Sequence, residues 1–298
     1  MNTLQPRVSD IMSHAKGGLE VQNSMGPGDP YLSHARLVFL TLHDGTEVGL
    51  PESVLEVFDG VHEKLKRYVH VERDVGTGEL AEDMTKKIPG SLHLHVQSPR
   101  GIVDCNRLEH CAIPFTFSPE IAEHVHRILR GIHGDTTGAI RLALSSTPDA
   151  RTVIDWHSMS QGSPVPPSPV AKLETLEDHV NYWVDAALHG KKRITDFIDS
   201  TDTGEIVGDR KLATSLGEIL TAAGIPWVFN MPYAKVRSLH PDFIYGYGKR
   251  GVSPDFTKDL LATTPGGGEF DLATCQPDAQ RVAAMADLMR PVIEDHIR

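Results

Sequence analysis

What most constrains the fold of this chain is a β-branched run that stops on polar chemistry. Thr152-Val153-Ile154 passes straight into Asp155-Trp156-His157-Ser158 and then into a Gly/Pro/Ser-rich stretch. An apolar run this short reads as a buried strand, and its tip delivers a carboxylate and an imidazole to an edge where chain and solvent meet. Sites in α/β proteins collect at such strand ends. Two further segments have the same form. Leu37-Val38-Phe39-Leu40-Thr41-Leu42 ends on His43-Asp44-Gly45, and Gly101-Ile102-Val103-Asp104 runs into Asn106-Arg107. Three strand ends tipped in this way suggest one convergent site.

Helical patterns alternate with these runs. Residues 51–68 carry Val54, Leu55, Val57, Phe58, Val61 and Leu65 behind Pro51, which suits a helix with proline in its first turn. Residues 76–87 predict a second helix. Leu92, Leu94 and Val96 alternate with His93, His95 and Gln97 as in a half-buried strand. Ser118 is placed to cap a helix whose apolar face is Ile121, Val125, Ile128 and Leu129. Residues 139–144 read as a strand, 206–223 as a helix, 227–229 as a short strand and 279–297 as an amphipathic helix. The segment around Asp255 and Asp259 reads as a helix start with an acidic first turn. Alternation of this kind favours a mixed or parallel sheet covered on both faces. Residues 1–30 are expected to form a loosely held arm and 31–298 a single α/β domain. Residues 161–169, with four prolines, read as an exposed loop or lid margin.

Charge narrows the partners. A formal net charge of -11 with no evident basic patch argues against a nucleic-acid or anionic-membrane binder. No apolar run approaches the roughly 18–20 residues that span a bilayer. The first residues lack the basic-then-apolar order of a secretion signal. Three cysteines, Cys105, Cys111 and Cys275, are too few and too oddly numbered for a disulfide framework, so a reducing cytoplasm is the expected compartment.

His43 and His157 hold equivalent places at the tips of two strands. Two imidazoles and one carboxylate form a ligand set used for catalytic zinc. Asp44, Glu47, Glu72 and Asp74 are the carboxylate candidates. A lone histidine before a turn is more often a hydrogen-bonding residue, and with 16 histidines two can reach strand ends by chance. His93, His95, His124, His126 and His133 fall in that ordinary class. Arg100, Asn106 and Arg107 form either an anion-binding set or a surface ion cluster. Asp255 and Asp259, either side of Lys258, carry carboxylates suited to moving a proton, although spacing alone favours the helix start. Gly266-Gly267-Gly268 has no Lys-Ser/Thr after it and is no phosphate cradle.

Taken together, these pieces resemble the N-formylglutamate amidohydrolase family. The matching segments are Leu40 to Gly45 with Leu50-Pro51, Asp74 before Leu80, Ser98-Pro99-Arg100-Gly101-Ile102-Val103-Asp104-Cys105-Asn106-Arg107, and Ile154-Asp155-Trp156-His157-Ser158. A weaker match runs from Asn230-Met231-Pro232-Tyr233 to Asp259-Leu260-Leu261. The resemblance implies a single three-layer α/β/α domain with a mixed central sheet, phosphorylase/hydrolase-like and similar to the zinc carboxypeptidases. It implies His43, Asp74 and His157 as zinc ligands, with Glu47 as the alternative third ligand. Asn106 and Arg107 would hold a substrate carboxylate, Arg100 the oxyanion, and Asp255 the general-base place, with Asp259 as its alternative. The chain departs from the family at Leu42, where proline usually precedes the first histidine, and at Asp255, where many members have glutamate.

The reading that follows is a metal-dependent hydrolase of an amide, N-formyl or N-acyl, on a small carboxylate-bearing substrate. It would use Zn2+ or another divalent transition metal. An esterase, carbamate or imide hydrolase on the same site is the first alternative. A binding protein without catalysis is the second, supported by the shorter carboxylate at 255.

Overall fold

The computed structural model describes residues 6–24, 32–58, 62–113, 123–163, 175–200, 204–231 and 246–298. Its elements in chain order begin with α1 (Val8–Ala15), β1 (Leu19–Asn23), β2 (Leu37–Thr41), α2 (Glu52–Leu55), α3 (His62–Glu72), α4 (Thr77–Lys87) and β3 (Ser91–Val96). Next come α5 (Glu123–Ser145), β4 (Thr152–Asp155), β5 (His157–Met159), β6 (Gly162–Ser163), α6 (Leu176–His189), β7 (Lys191–Lys192) and β8 (Thr195–Ile198). The chain continues through α7 (Arg210–Ala222), β9 (Trp227–Phe229), β10 (Arg250–Thr257), β11 (Ala262–Thr263) and β12 (Gln276–Pro277) to α8 (Ala279–His296).

Eight strands make one mixed sheet in the order β1-β3-β2-β4-β10-β8-β9, with β5 also paired to β10. β3, β2, β4 and β10 run parallel, while β1 and β8 are antiparallel to their neighbours β3 and β10. Side-chain alternation along β2 divides the core in two. Val38 and Leu40 join the cluster that includes Val125, Leu129 and Ile140 of α5. Leu37 and Phe39 join the opposite cluster with Leu80 and Met84 of α4, Leu216 of α7 and Met289 of α8. The strands are therefore buried on both faces, which is the three-layer α/β/α arrangement expected. No helix among the described residues is long and apolar enough to cross a membrane.

The sheet order also explains where a site can form. From β2 the chain returns to the sheet on one side, at β3. From β3 it crosses by α5 to β4, on the other side of β2. β2 and β4 are neighbours at the point where the strand order reverses, and α/β sheets carry their sites at the carboxyl ends of such a pair. His43 and His157 both sit there.

Several elements differ from the sequence reading. Residues 8–23 are a helix and an edge strand, not a loose arm. Leu19 and Val21 face the core, and β1 pairs with β3 from Leu19↔Val96 to Asn23↔Leu92. Residues 139–144 are the end of α5, not a strand. Buried Ala139, Ile140, Ala143 and Leu144 repeat at helical spacing and continue the face of Val125 and Leu129. Residues 101–104 form a turn, because the amides of Ile102 and Val103 both donate to the Pro99 carbonyl, each at 2.9 Å. The helix expected over 51–68 is α2, a 3-10 turn at Glu56–Phe58 and then α3. The segment around Asp255 is strand β10, buried from Gly251 to Thr257. Pro254 is accommodated because β4 pairs with residues 250–252 and β5 with 255–257, leaving 253 and 254 between them on that side, while Pro254 faces Phe197 of β8 on the other. Ser118, Ile121, Pro232, Tyr233 and the prolines of 164–169 lie outside the described residues.

Candidate active site

Hydrogen bonds to the backbone bring three segments together. The Asp74 amide donates to the His43 carbonyl at 2.9 Å, and the Trp156 amide to Leu40 O at 2.9 Å. Ser158 Oγ donates to Val75 O at 3.1 Å. Gly45 lets the turn after His43 lie against the chain beyond β3, since a Cβ there would come within 2.4 Å of the carbonyls of Gln97 and Ser98. On the β4 side, Trp156 packs between the rings of Phe39 and Phe256, at 6.0 and 5.9 Å. That anchor fixes the segment on one face, while Asp155 and His157 project together on the other.

His43, Asp74 and His157 are all buried, and one ligand atom from each lies within 4.8 Å of the others. Asp74 Oδ2 is 3.3 Å from His43 Nδ1 and 3.0 Å from His157 Nδ1. Each imidazole has its far nitrogen held by a different carboxylate. His43 Nε2 donates to Asp104 Oδ1 at 2.9 Å, and His157 Nε2 to Asp155 Oδ2 at 2.8 Å. Both Nδ1 atoms are thereby turned toward Asp74. Carboxylates in this position orient metal-binding imidazoles and raise their basicity. A buried donor set of two imidazole nitrogens and one carboxylate, braced in this way, fits zinc and its divalent neighbours.

The charges reinforce one another. Burial would raise Asp74 and Asp104, but the hydrogen bonds and charges of the histidines and of Arg100 hold both well below the usual carboxylate range. Burial would depress His157, yet the flanking Asp155 and Asp74 hold it up at about 10. In the metal-free protein His157 is therefore an imidazolium at neutral pH. A metal at Nδ1 has to displace that proton.

Arg100 enters from the turn after β3. Its Nη1 is 3.2 Å from His43 Nδ1 and 3.4 Å from Asp74 Oδ1. Asp255 stands opposite His157 in the β5–β10 register and opposite Asp196 in the β8–β10 register. Burial, with Asp74 and Asp196 adding to it, lifts its carboxyl to about 7 against the opposing pull of His157. Asp259 sits on the 3-10 turn after β10, where its carbonyl accepts from Arg281 of α8. Asn106 is buried and its backbone N–H donates to Asp104 Oδ1 at 2.9 Å. Arg107 places Nε 3.5 Å from Asp104 Oδ2 and stays more than one-third exposed.

The other carboxylate candidates go elsewhere. Glu47 lies on a short 3-10 turn and is not in the His43–Asp74–His157 group. Asp44 accepts from Arg73 Nε at 2.5 Å and from the Gly78 amide at 2.7 Å, which caps α4. Glu72 accepts from His179 Nε2 at 2.6 Å. His93 bonds Thr41 Oγ1 at 2.9 Å and stacks on His95, while His133 donates to the Arg107 carbonyl at 2.8 Å. Cys105 and Cys275 are buried and Cys111 is exposed, with none in the ligand group. The sequence reading assigned no imidazole partner to Asp104 or Asp155. For Asp155 the signal was present, since it lies two residues before His157 and shares its face. For Asp104, 61 residues from His43, there was none.

No family model matches the chain, and no curated protein matches it in sequence. Its fold is similar to that of solved structures. An N-formylglutamate amidohydrolase from Ralstonia eutropha JMP134 is 14% identical with a TM-score of 0.60, over 94% of this chain and 97% of that one. A gene product from Agrobacterium tumefaciens is 14% identical with a TM-score of 0.59, over 96% of this chain and 98% of that one. At this identity the likeness is one of fold, and it runs the length of both chains.

Proposed function

We propose that this chain is a metal-dependent hydrolase that cleaves an N-formyl or N-acyl amide bond of a small carboxylate-bearing substrate. The observation that carries the reading is the pair of imidazoles, each braced by its own carboxylate, turned onto one buried aspartate. The fold shared with an N-formylglutamate amidohydrolase supports it. Zinc is the proposed ion, with manganese, cobalt or iron as substitutes. Held by His43, Asp74 and His157, it would polarise the substrate carbonyl and lower the pKa of a water.

The chain's own groups supply the rest. Asp255 takes a proton from the attacking water and returns it to the leaving amine. A carboxyl lifted toward neutrality suits both directions of transfer. Arg100 directs N–H groups at the developing oxyanion, a contribution of roughly 3–4 kcal/mol in comparable sites. Asn106 and Arg107 hold the substrate carboxylate, with Asp104 steadying the guanidinium. Arg107→Ala raises KM for carboxylate substrates more than it lowers kcat.

The test is a panel of N-formyl and N-acyl amino acids beside the matching esters, with zinc-loaded protein and its His157→Ala variant. Turnover of amides by the parent and not by the variant is expected. Absence of turnover across the panel, with zinc bound, overturns the reading.

A further inference from the structure

Arg100 is held from behind by a chain of contacts that the reaction does not use. Its Nε lies 3.7 Å from Glu72 Oε2 at the end of α3. The other Glu72 oxygen accepts from His179 Nε2, on α6, at 2.6 Å. The indole nitrogen of Trp183, one turn further along α6, lies 3.0 Å from that same ring nitrogen. With Glu72 ionised, Nε2 keeps its proton and donates a hydrogen bond to the carboxylate, so it does not also accept one from the Trp183 N–H. The His179 ring also stands edge-on to Tyr68, at 4.9 Å between centroids. Tyr68 OH in turn donates to the carbonyl of Gly101 at 3.1 Å. Tyr68 and Glu72 are four residues apart on one face of α3, so a single helical stripe fixes both Gly101 and Arg100. His179 abuts both members of that stripe.

A guanidinium on a long side chain has many rotamers, and aiming it at one point needs more than a single contact. In the metal-free protein one edge meets His43 and Asp74, and the Nε edge meets Glu72, the contact that does not involve a proposed ligand atom. Without His179, Glu72 loses the donor that fixes its carboxylate plane, and the anchor behind Arg100 is no longer held in one orientation.

We propose that His179 is a positioning residue, acting through Glu72 to hold Arg100 in its place at the site. The proposal rests on the reading of Arg100 as a group of the reaction site, and the experiment separates the two. Zinc-loaded full-length protein carrying His179→Ala or His179→Gln is compared with the parent, and His179→Ala is repeated in an Arg100→Ala background. Two readouts are taken: kcat and KM on an N-formyl amino acid, and the Nε–H resonance of Arg100 by 15N NMR, assigned by its loss in Arg100→Ala.

His179→Ala should lower kcat by about 10-fold or more with KM and metal content unchanged, because a misplaced group costs rate rather than binding. In the Arg100→Ala background the same change should have no further effect. His179→Gln keeps a donor for Glu72 and should recover most of the loss. The Arg100 resonance should shift in the alanine variant and return in the glutamine variant. If His179→Ala folds poorly, Glu72→Gln reads the same link. Equal losses in both backgrounds, or a parent-like resonance in His179→Ala, overturn the proposal. A shifted resonance in a protein that hydrolyses nothing upholds the positioning link and refutes the reaction instead.

Discussion

Gly101→Ala tests how tightly the Arg100 turn is seated. A Cβ at this position would lie 2.6 Å from Tyr68 Cε1, 3.2 Å from Tyr68 Cζ and 3.4 Å from Glu72 Cγ. The closest approach falls about 0.8 Å short of the 3.4 Å at which ordinary contact begins. Tyr68 cannot swing aside cheaply, since it is buried and its hydroxyl bonds the Gly101 carbonyl. Overpacking of this kind costs about 1–3 kcal/mol. At roughly 2–4 °C per kcal/mol for a chain near this size, Tm should fall by about 2–12 °C. Relaxation moves the turn away from α3 and carries Arg100 with it. A displacement approaching 1 Å lowers kcat by about 10²-fold. Metal content should stay at the parent value, because the atoms nearest to this carbon belong to Tyr68 and Glu72 and not to a ligand residue. The assays are thermal denaturation, elemental analysis and steady-state kinetics on one preparation. Parent-like Tm together with parent-like kcat would show that the turn is not seated on Tyr68, and the positioning argument for Arg100 would fail with it.

Other outcomes follow from the same geometry. Asp255→Asn should retain metal and lose about 10²–10⁴-fold in kcat. Burial, with Asp74 and Asp196, lifts the Asp255 carboxyl from 3.8 to about 7. In metal-free protein this group therefore contributes stability below pH 3.8 that is lost as pH rises through about 7. The asparagine variant should gain on the parent across that window, seen by denaturation at stepped pH; a constant difference would contradict the assignment. Metal uptake near pH 7.5 should release about one proton from His157, measured by calorimetry in buffers of different ionisation enthalpy. No buffer dependence would mean that its nitrogen is not a ligand. Burial lifts the Cys105 thiol to about 12 and raises Cys275, whereas Cys111 is exposed. A thiol reagent should modify about one cysteine per native chain and all three after denaturation; rapid modification of all three in the native protein would contradict this burial.

The strand tips were legible because local pattern and long-range order agree there. A run such as residues 37–42 can only be buried, and whatever follows it must surface at the sheet edge. Residues 139–144 misled because alanine-rich apolar runs satisfy both periods, and only continuity with Val125 and Leu129 decides for a helix. The local pattern around Asp255 favours a helix because an acidic pair beside proline is also how helices begin. Burial on both sides between β5 and β8 overrides that local preference, and no local signal carries it. The third carboxylate stood open among four residues, and the structure separates them by partner. Asp44 is taken by Arg73 and Gly78, and Glu72 by His179, 107 positions away. Glu47 lies outside the ligand group, and Asp74 meets both imidazoles. Spacing along the chain cannot reveal pairings across such distances.

His43, Asp74 and His157 are the proposed ligands of a metal ion. Elemental analysis of the purified protein, beside His43→Ala and His157→Ala, tests this directly. About one zinc or equivalent divalent ion per chain in the parent, lost in both variants, is the expected result. A parent that carries no metal and takes up none from added zinc would contradict the account, leaving the two braced histidines as structural residues.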